Sequence, residues 1–206
     1  MKLFVLGGTG MIGSRIVTEA LSRGHDVTIG SRSPETSAPQ DGVTAVRVAL
    51  EDTAALAAQA EAADVTITAV SPRSTGDAIA ESNAYADALI AALGQNRVVV
   101  VGGAGSLNLP DGSPVADVVP EAYRSEAQGM RQAYEKIAAS DLNYTVMAPA
   151  GLIEPGERTG TFRLGGRQFM TDEEGNSRIS AEDFAVALLD EVETPQHSRQ
   201  IFHAAY

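Results

Sequence analysis

The chain contains no cysteine and no tryptophan among its 206 residues, and aromatic residues make up only 5% of it. Without cysteine it can form no disulfide, no thiolate metal site and no cysteine nucleophile. This composition is compatible with a cytoplasmic protein, and it leaves any chemistry to other side chains or to a bound cofactor.

Basic residues are also scarce. Fifteen Lys and Arg against 27 Asp and Glu give a formal net charge of -12. A protein that holds a nucleic acid needs Lys and Arg clustered on one face to meet the phosphates. We therefore expect no nucleic-acid partner.

Long apolar runs are missing as well. One lysine and four apolar residues, Leu3 to Leu6, separate Met1 from Gly7. That is too short for a signal-peptide core, and no other stretch approaches the length of a membrane span. We expect a cytoplasmic protein with no membrane partner.

The most informative feature that is present is a glycine-rich segment, Leu6-Gly7-Gly8-Thr9-Gly10-Met11-Ile12-Gly13, between an apolar run and an amphipathic one. This order predicts a strand, a tight turn and a helix. Gly7 allows the turn, Gly10 lets the backbone approach a pyrophosphate, and Gly13 lets the helix pack closely on the strand. The helix start presents roughly half a positive charge to the phosphates. We expect Thr9, Met11 and Ile12 to contact the cofactor too.

Strand and helix patterns alternate along the chain, which predicts an α/β fold: a Rossmann-type doubly wound parallel sheet with a small C-terminal cap, in a single domain over residues 1–206. The predicted strands are Lys2 to Leu6, Asp26 to Ile29, Val43 to Val48, Asp64 to Val70, Arg97 to Val101, Tyr144 to Met147 and Gln200 to Ala204. The predicted helices are Met11 to Arg23, Thr53 to Ala62, Asp77 to Leu93, Glu121 to Ala139 and Ala181 to Glu191, with a hairpin around Thr161 to Met170. The Pro-containing loop after the second strand includes Pro34 and Pro39. Segments 107–120 and 151–180 follow the carboxyl ends of strands, where such sheets bind ligands, and should form the substrate pocket.

The end of the second strand favours NADP(H) over NAD(H). An NAD site usually has an acidic residue there, which binds the ribose hydroxyls. This chain has Gly30-Ser31-Arg32-Ser33 instead. Arg32 can form two hydrogen bonds to a phosphate, and Ser31 or Ser33 can donate one more. The alternative for Arg32 is a solvated loop arginine.

The remaining cofactor contacts are predicted at the ends of other strands. Leu50 and Glu51 either approach the adenine or belong to an acidic helix start that the helix dipole favours. The other predicted positions lie at or just after the ends of the fourth and sixth strands: Ala69, Val70, Ser71 and Pro149.

A Tyr-x-x-x-Lys pair, which many short-chain dehydrogenases use to deliver a proton to an alkoxide, is missing. The residues four after Tyr85, Tyr123, Tyr134 and Tyr144 are Leu or Ala, and Tyr206 is the last residue. Alcohol oxidation, epimerisation and dehydration by the usual mechanism therefore lose their main catalyst. A conjugated acceptor such as a flavin or a quinone can still take a hydride, because it spreads the charge and solvent can supply the proton.

The chain resembles the atypical short-chain dehydrogenases. The resemblance rests on the glycine motif, on Val100 to Ser106, on Ser140 to Thr145 and on Ser177 to Asp183. It is most similar to the NAD(P)H-binding group that contains biliverdin reductase B/flavin reductase, NADH-flavin reductases and NmrA-like proteins. In flavin-reductase members a serine at the position of Ser106 lies beside the nicotinamide, which implies a catalytic role; the alternative is a serine in a Gly-rich turn. The histidine that biliverdin reductase B has after the sixth strand is absent, since this stretch is Met147-Ala148-Pro149-Ala150.

These observations favour an NADPH-dependent reductase of a planar conjugated acceptor, with flavin as a candidate substrate. Two alternatives remain: a non-catalytic NmrA-like sensor of NADP(H), and an epimerase or dehydratase. Arginines after the fourth and sixth strands could meet an anionic acceptor or could be solvated: Arg73, Arg158, Arg163 and Arg167. No metal site is predicted.

Overall fold

The computed structural model describes residues 1–33, 42–72 and 74–206. Pro34, Pro39 and Arg73 lie outside these residues. The strands are β1 Lys2–Leu6, β2 Asp26–Ser31, β3 Val43–Arg47, β4 Val65–Thr68, β5 Val98–Val101, β6 Tyr144–Ala148, β7 Leu152–Glu154, β8 Arg163–Gly165, β9 Arg178–Ser180 and β10 Ile201–Ala205. The helices are α1 Met11–Ser22, α2 Thr53–Ala62, α3 Ala78–Leu93, α4 Val115–Val118, α5 Glu121–Ala139 and α6 Ala181–Glu193.

Eight of the strands form one sheet in the order β3-β2-β1-β4-β5-β6-β10-β8. The first seven run parallel, and β8 pairs antiparallel with β10. The order β3-β2-β1-β4-β5-β6 is that of a Rossmann fold, so the predicted fold class is confirmed. The order reverses between β1 and β4, which is where such sheets bind ligands.

The core lies in two layers, because successive side chains of a strand point to opposite faces of the sheet. Leu3 and Val5 of β1 pack with α1 and α6, whereas Phe4 and Leu6 pack with α2, α3 and α5. The four valines of β5 are each at most 6% exposed, so this strand is buried on both faces. Each layer therefore fixes one set of helices to the sheet.

The C-terminal region differs from the prediction in detail. The hairpin around 161–170 is wrong: β8 pairs with β10, and the stretch after it bonds to the loop after β5, where the Phe169 N–H donates to the Asn108 carbonyl at 2.7 Å. Two further strands, β7 and β9, form a small parallel pair of their own. Within the ranges above, no helix is long and apolar enough to cross a membrane.

Candidate functional site

Close packing within the protein requires glycine at two positions of the glycine turn. Gly7 has φ +83, and a Cβ there would lie 2.6 Å from the Ala69 carbonyl oxygen. A Cβ on Gly13 would lie 2.1 Å from the carbonyl oxygen of Gly7. Both positions thus require glycine: one for the turn off β1 beside the end of β4, the other for the close approach of α1.

Gly10 differs from these two, because the protein itself leaves room for a side chain there. A Cβ on Gly10 would meet only the Gly7 carbonyl oxygen, at 3.4 Å, and the residue is exposed. No side chain caps α1 and no acid lies in its first turn, whereas Asp52, Asp77 and Ser180 cap α2, α3 and α6. The first N–H groups of a helix have no partner within the helix. The space above Gly10 and the uncapped helix start therefore fit a pyrophosphate.

The residues of this turn are partly open to solvent. Thr9 is exposed, Met11 is 40% exposed, and Ile12 packs partly against the α1 layer. Backbone bonds attach the turn and the neighbouring strands: Gly7 N–H donates to the Gly30 carbonyl at 3.1 Å, and Ala69 N–H to the Leu6 carbonyl at 2.8 Å. The ends of β1, β2 and β4 thus meet at one place.

The end of β2 contains an unsatisfied polar group. The Ser31 hydroxyl is buried and has no hydrogen-bond partner among the residues with described positions. Arg32, the next residue, is exposed. Buried hydroxyls in proteins are nearly always hydrogen-bonded, so Ser31 fits contact with a ligand. The ribose side of a dinucleotide would supply an acceptor there.

The other predicted contacts also lie at the carboxyl ends of the strands. Leu50 packs partly against the α2 layer and Glu51 is exposed, while Asp52 caps α2 by accepting from Ala55 N–H at 2.9 Å. The acidic helix start is therefore present, and adenine contact by Leu50 and Glu51 stays a prediction. After β4 and β6, Ala69, Val70 and Pro149 are half-buried and Ser71 is exposed.

The Ser106 hydroxyl points at a helix. Ser106 is fully buried, and its Oγ donates to the Met130 carbonyl of α5 at 3.2 Å. The neighbouring Gly105 packs closely on α5, since a Cβ there would lie 2.4 Å from the Ala127 carbonyl oxygen. This geometry is that of a serine in a Gly-rich turn, and the predicted contact with nicotinamide or acceptor stays a prediction.

The face of α5 that packs on the loop after β5 carries no Tyr-Lys pair. The side of α5 that meets the loop after β5 presents Ala127 and Met130. The chain has only two lysines. Lys136 pairs with Asp87 at 2.6 Å, and Lys2 lies at the start of β1, at the opposite edge of the sheet. No lysine adjoins a tyrosine where a relay would act.

The candidate arginines have separate roles. Arg158 binds the Glu19 carboxylate through two bonds of 2.8 Å, and Arg163 donates to the backbone carbonyls of Thr171 and Tyr206. Arg167 donates to the Ser106 carbonyl at 3.2 Å and lies over the Tyr134 ring. Arg73 lies outside the described residues. Arg158 and Arg163 are therefore occupied by the protein itself.

Sequence reasoning missed a connection between the two predicted pocket loops. The backbone N–H of Asn108, in segment 107–120, donates to the backbone carbonyl of Arg167, in segment 151–180, at 2.9 Å. Arg131 of α5 also donates to the Asn108 side chain at 3.0 Å and to the Leu107 carbonyl at 3.2 Å. No local pattern in the sequence signals these long-range bonds.

The histidines do not converge on the site. His25 contacts Glu193 at 2.8 Å, His197 contacts Glu191 at 2.8 Å, and His203 is buried within β10. Burial lowers the pKa of His203, whose Nδ1 lies 3.0 Å from the Gly166 carbonyl oxygen.

A cavity of about 540 Å³ lies at the amino ends of β1 to β3, away from the glycine turn.

Two solved structures similar to this chain have names that differ in function. A Streptococcus pneumoniae TIGR4 protein named "putative NADH-flavin reductase" is 29% identical with a TM-score of 0.89, covering 100% of this chain and 99% of that one. A Bacteroides thetaiotaomicron protein named "putative epimerase" is 30% identical with a TM-score of 0.91, covering 100% and 96%.

Two other proteins resemble the chain over nearly its full length. A "Putative exported protein" from Burkholderia pseudomallei is 42% identical with a TM-score of 0.86, covering 100% of both chains. The uncharacterized protein YwnB of Bacillus subtilis (strain 168) is 30% identical over 214 residues, 98% of this chain and 97% of YwnB.

The model of the NAD(P)H-binding family matches residues 7–195, a span that contains the glycine turn, the end of β2 and the loop after β5. The chain belongs to this NAD(P)H-binding family, and its sheet has the strand order of a Rossmann fold.

Proposed function

We propose that the protein is an NADPH-preferring reductase that transfers a hydride to a planar conjugated acceptor, a flavin or a quinone. The observation that carries the proposal is the packing of α5 on the loop after β5, where Ser106 donates to Met130 and no Tyr-Lys pair is present. A reaction at this site therefore proceeds without a Tyr-Lys proton relay.

A conjugated acceptor meets that condition. NADPH held at the glycine turn and the end of β2 would supply the hydride that the acceptor ring takes up, and NADP⁺ would be the other product. The electron pair spreads over the ring, and water supplies the proton that completes the reduction. The chain's own contribution is to bind the two rings in contact and to orient them.

The preference for NADPH rests on the end of β2. The segment Gly30 to Ser33 has no acid to repel a 2′-phosphate, and it offers the unpartnered hydroxyl of Ser31 and the exposed guanidinium of Arg32. The similar Streptococcus protein is named for NADH, so this preference is tested separately from the reductase activity. We further propose a cytoplasmic protein with a small-molecule acceptor as its partner.

The test is oxidation of NADPH, followed by the absorbance of the reduced nicotinamide, with FMN, FAD, riboflavin and small quinones as acceptors. Gly10→Asp places a carboxylate at the phosphate site, and Ala58→Asp, which adds the same charge at an exposed position of α2, is the matched control. Saturable turnover that Gly10→Asp abolishes and Ala58→Asp retains supports the proposal.

Other results point elsewhere. Tight NADPH binding without turnover on any acceptor would refute the reductase and indicate an NmrA-like sensor. Conversion of a sugar nucleotide without net NADPH consumption would indicate an epimerase, the activity in the name of the Bacteroides protein.

A further inference from the structure

We infer that Arg47, on the strand next to β2, is a second phosphate ligand: with Arg32 it brackets Ser31 and binds the 2′-phosphate of NADPH. The inference rests on the proposed NADPH preference and adds a residue that the local sequence motif does not contain. Three independent observations support it.

Strand register places Arg47 beside Ser31. In the parallel pairing of β2 with β3, Ser31 and Arg47 are Cα partners, and the bond from Val48 N–H to the Ser31 carbonyl is 3.0 Å. Val27, Ile29 and Val43 pack in the α1 layer. Since side chains alternate along a strand, Ser31 and Arg47 project to that same face. Both therefore lie on the side of the sheet that carries the glycine turn.

The glycine turn adjoins this face. A Cβ on Gly8 would lie 3.0 Å from the side chain of Ile29. Ser31 follows Ile29 by two residues on the same face, about 7 Å further along the strand. A dinucleotide whose pyrophosphate lies at Gly10 extends its adenosine ribose along this direction. Ser31 and Arg47 lie where the 2′-position would be.

The polar side chains of Ser31, Arg32 and Arg47 have no hydrogen-bond or ion-pair partner among the described residues. The Ser31 hydroxyl is buried and unbonded, and no hydrogen bond or ion pair is found for the side chain of Arg32 or Arg47 in residues 1–33, 42–72 and 74–206. By contrast Arg23 and Arg158 are both paired with carboxylates. In a chain with 27 acidic residues, two such arginines next to an unsatisfied hydroxyl, one in sequence and one in strand register, fit a dianion.

A purely structural role for Arg47 makes a different prediction. The strand β3 is at the edge of the sheet, and charged side chains on edge strands discourage pairing with other chains. An arginine with that role alone would not distinguish NADPH from NADH. The ratio of the two affinities therefore separates the roles.

The experiment measures dissociation constants for NADPH and NADH, and for the fragments 2′,5′-ADP and 5′-AMP, at one fixed salt concentration. The variants are Arg47→Gln, Arg32→Gln and the double variant. Lys136→Gln is the matched control, because it also removes one positive charge but lies on α5, paired with Asp87. Thermal unfolding of each variant checks that it is folded. Because only binding is measured, the result does not depend on finding an acceptor.

We expect Arg47→Gln to weaken NADPH and 2′,5′-ADP about 10-fold, as befits the loss of one charge-assisted hydrogen bond, and to leave NADH and 5′-AMP within about twofold. The double variant should bind NADPH and NADH about equally. Equal weakening of both cofactors by Arg47→Gln would overturn the inference, as would no change in either while Arg32→Gln abolishes the preference. If the preference follows these expectations but no acceptor is reduced, the inference stands and the proposed reductase activity fails.

Discussion

Replacing Glu19 with glutamine tests the ion pair that connects α1 to Arg158 in the C-terminal region. The Glu19 side chain is 6% exposed and accepts from Arg158 through two bonds of 2.8 Å and from Arg23 through one of 2.8 Å. Hydrogen bonds from Arg158 and Arg23, against the opposing effect of burial, hold the pKa of Glu19 at about 2, below its ordinary 4.5.

The lowered pKa of Glu19 gives the size of its contribution to stability. One pKa unit is about 1.4 kcal/mol, so ionised Glu19 contributes about 3 kcal/mol to the free energy of unfolding. Because the folded-state pKa is the lower one, this contribution is complete above pH 4.5 and is lost as the pH falls toward 2. The variant does not leave a buried cation unpaired, since Arg23 keeps Asp190 and Glu193, and the Arg158 side chain is 56% exposed.

Urea unfolding followed by circular dichroism measures the effect. At pH 7 we expect Glu19→Gln to lose about 3 kcal/mol, or roughly 6 to 12 °C in thermal midpoint. The difference from the native chain should shrink by more than half at about pH 3. Glu61→Gln, an exposed position on α2, is the control and should cost less than about 0.5 kcal/mol. Equal losses in the two variants, or a loss from Glu19→Gln that does not change with pH, would refute the reasoning.

Three further substitutions test other parts of the structure. Gly13→Ala should abolish NADPH binding and lower the thermal midpoint, because its Cβ would lie 2.1 Å from the Gly7 carbonyl oxygen; retained binding in calorimetry would contradict the packing. Tyr206→Phe should cost about 1–3 kcal/mol in urea unfolding, since its hydroxyl donates to the buried Asp183 carboxylate at 2.8 Å; an unchanged midpoint would show that this bond contributes nothing. Arg131→Gln should lower kcat of acceptor reduction about 10-fold with an unchanged NADPH affinity, because it frees carbonyls of the loop after β5; weaker NADPH binding would instead place Arg131 on the cofactor side.

The sequence predicts most of the fold because the main signals are local. The glycine turn needs only a strand, three glycines and a helix in order, and α5 has the predicted bounds, Glu121–Ala139. Strands β7 and β9 were missed because each has three residues, too few for a periodic pattern. The hairpin prediction failed because β8 pairs with β10, about 40 residues away in the chain, and local turn residues carry no trace of that partner.

The candidate site divides in the same way. The residues of the glycine motif could be named from the sequence, but the direction of Ser106 depends on its contact with α5, 24 residues further on. Arg47 could not be recognised, because its place beside Ser31 is a matter of strand register. Residues brought together by pairing and packing, rather than by spacing along the chain, are those that sequence reasoning misses.

The helix α1 connects the cofactor side of the site to the predicted substrate side. Its first turn faces the phosphate position, while Glu19 holds Arg158 of segment 151–180. On α6, Glu182 accepts from Arg15 of α1 and from Gly156 N–H, and Asp183 accepts from the N–H groups of residues 159 and 160. Because a helix is stiff, these carboxylates hold the loop at residues 156–160 at a fixed distance from the glycine turn. For the proposed hydride transfer, which depends on the distance between two rings rather than on a protein acid, this fixed distance would be the chain's own contribution to catalysis.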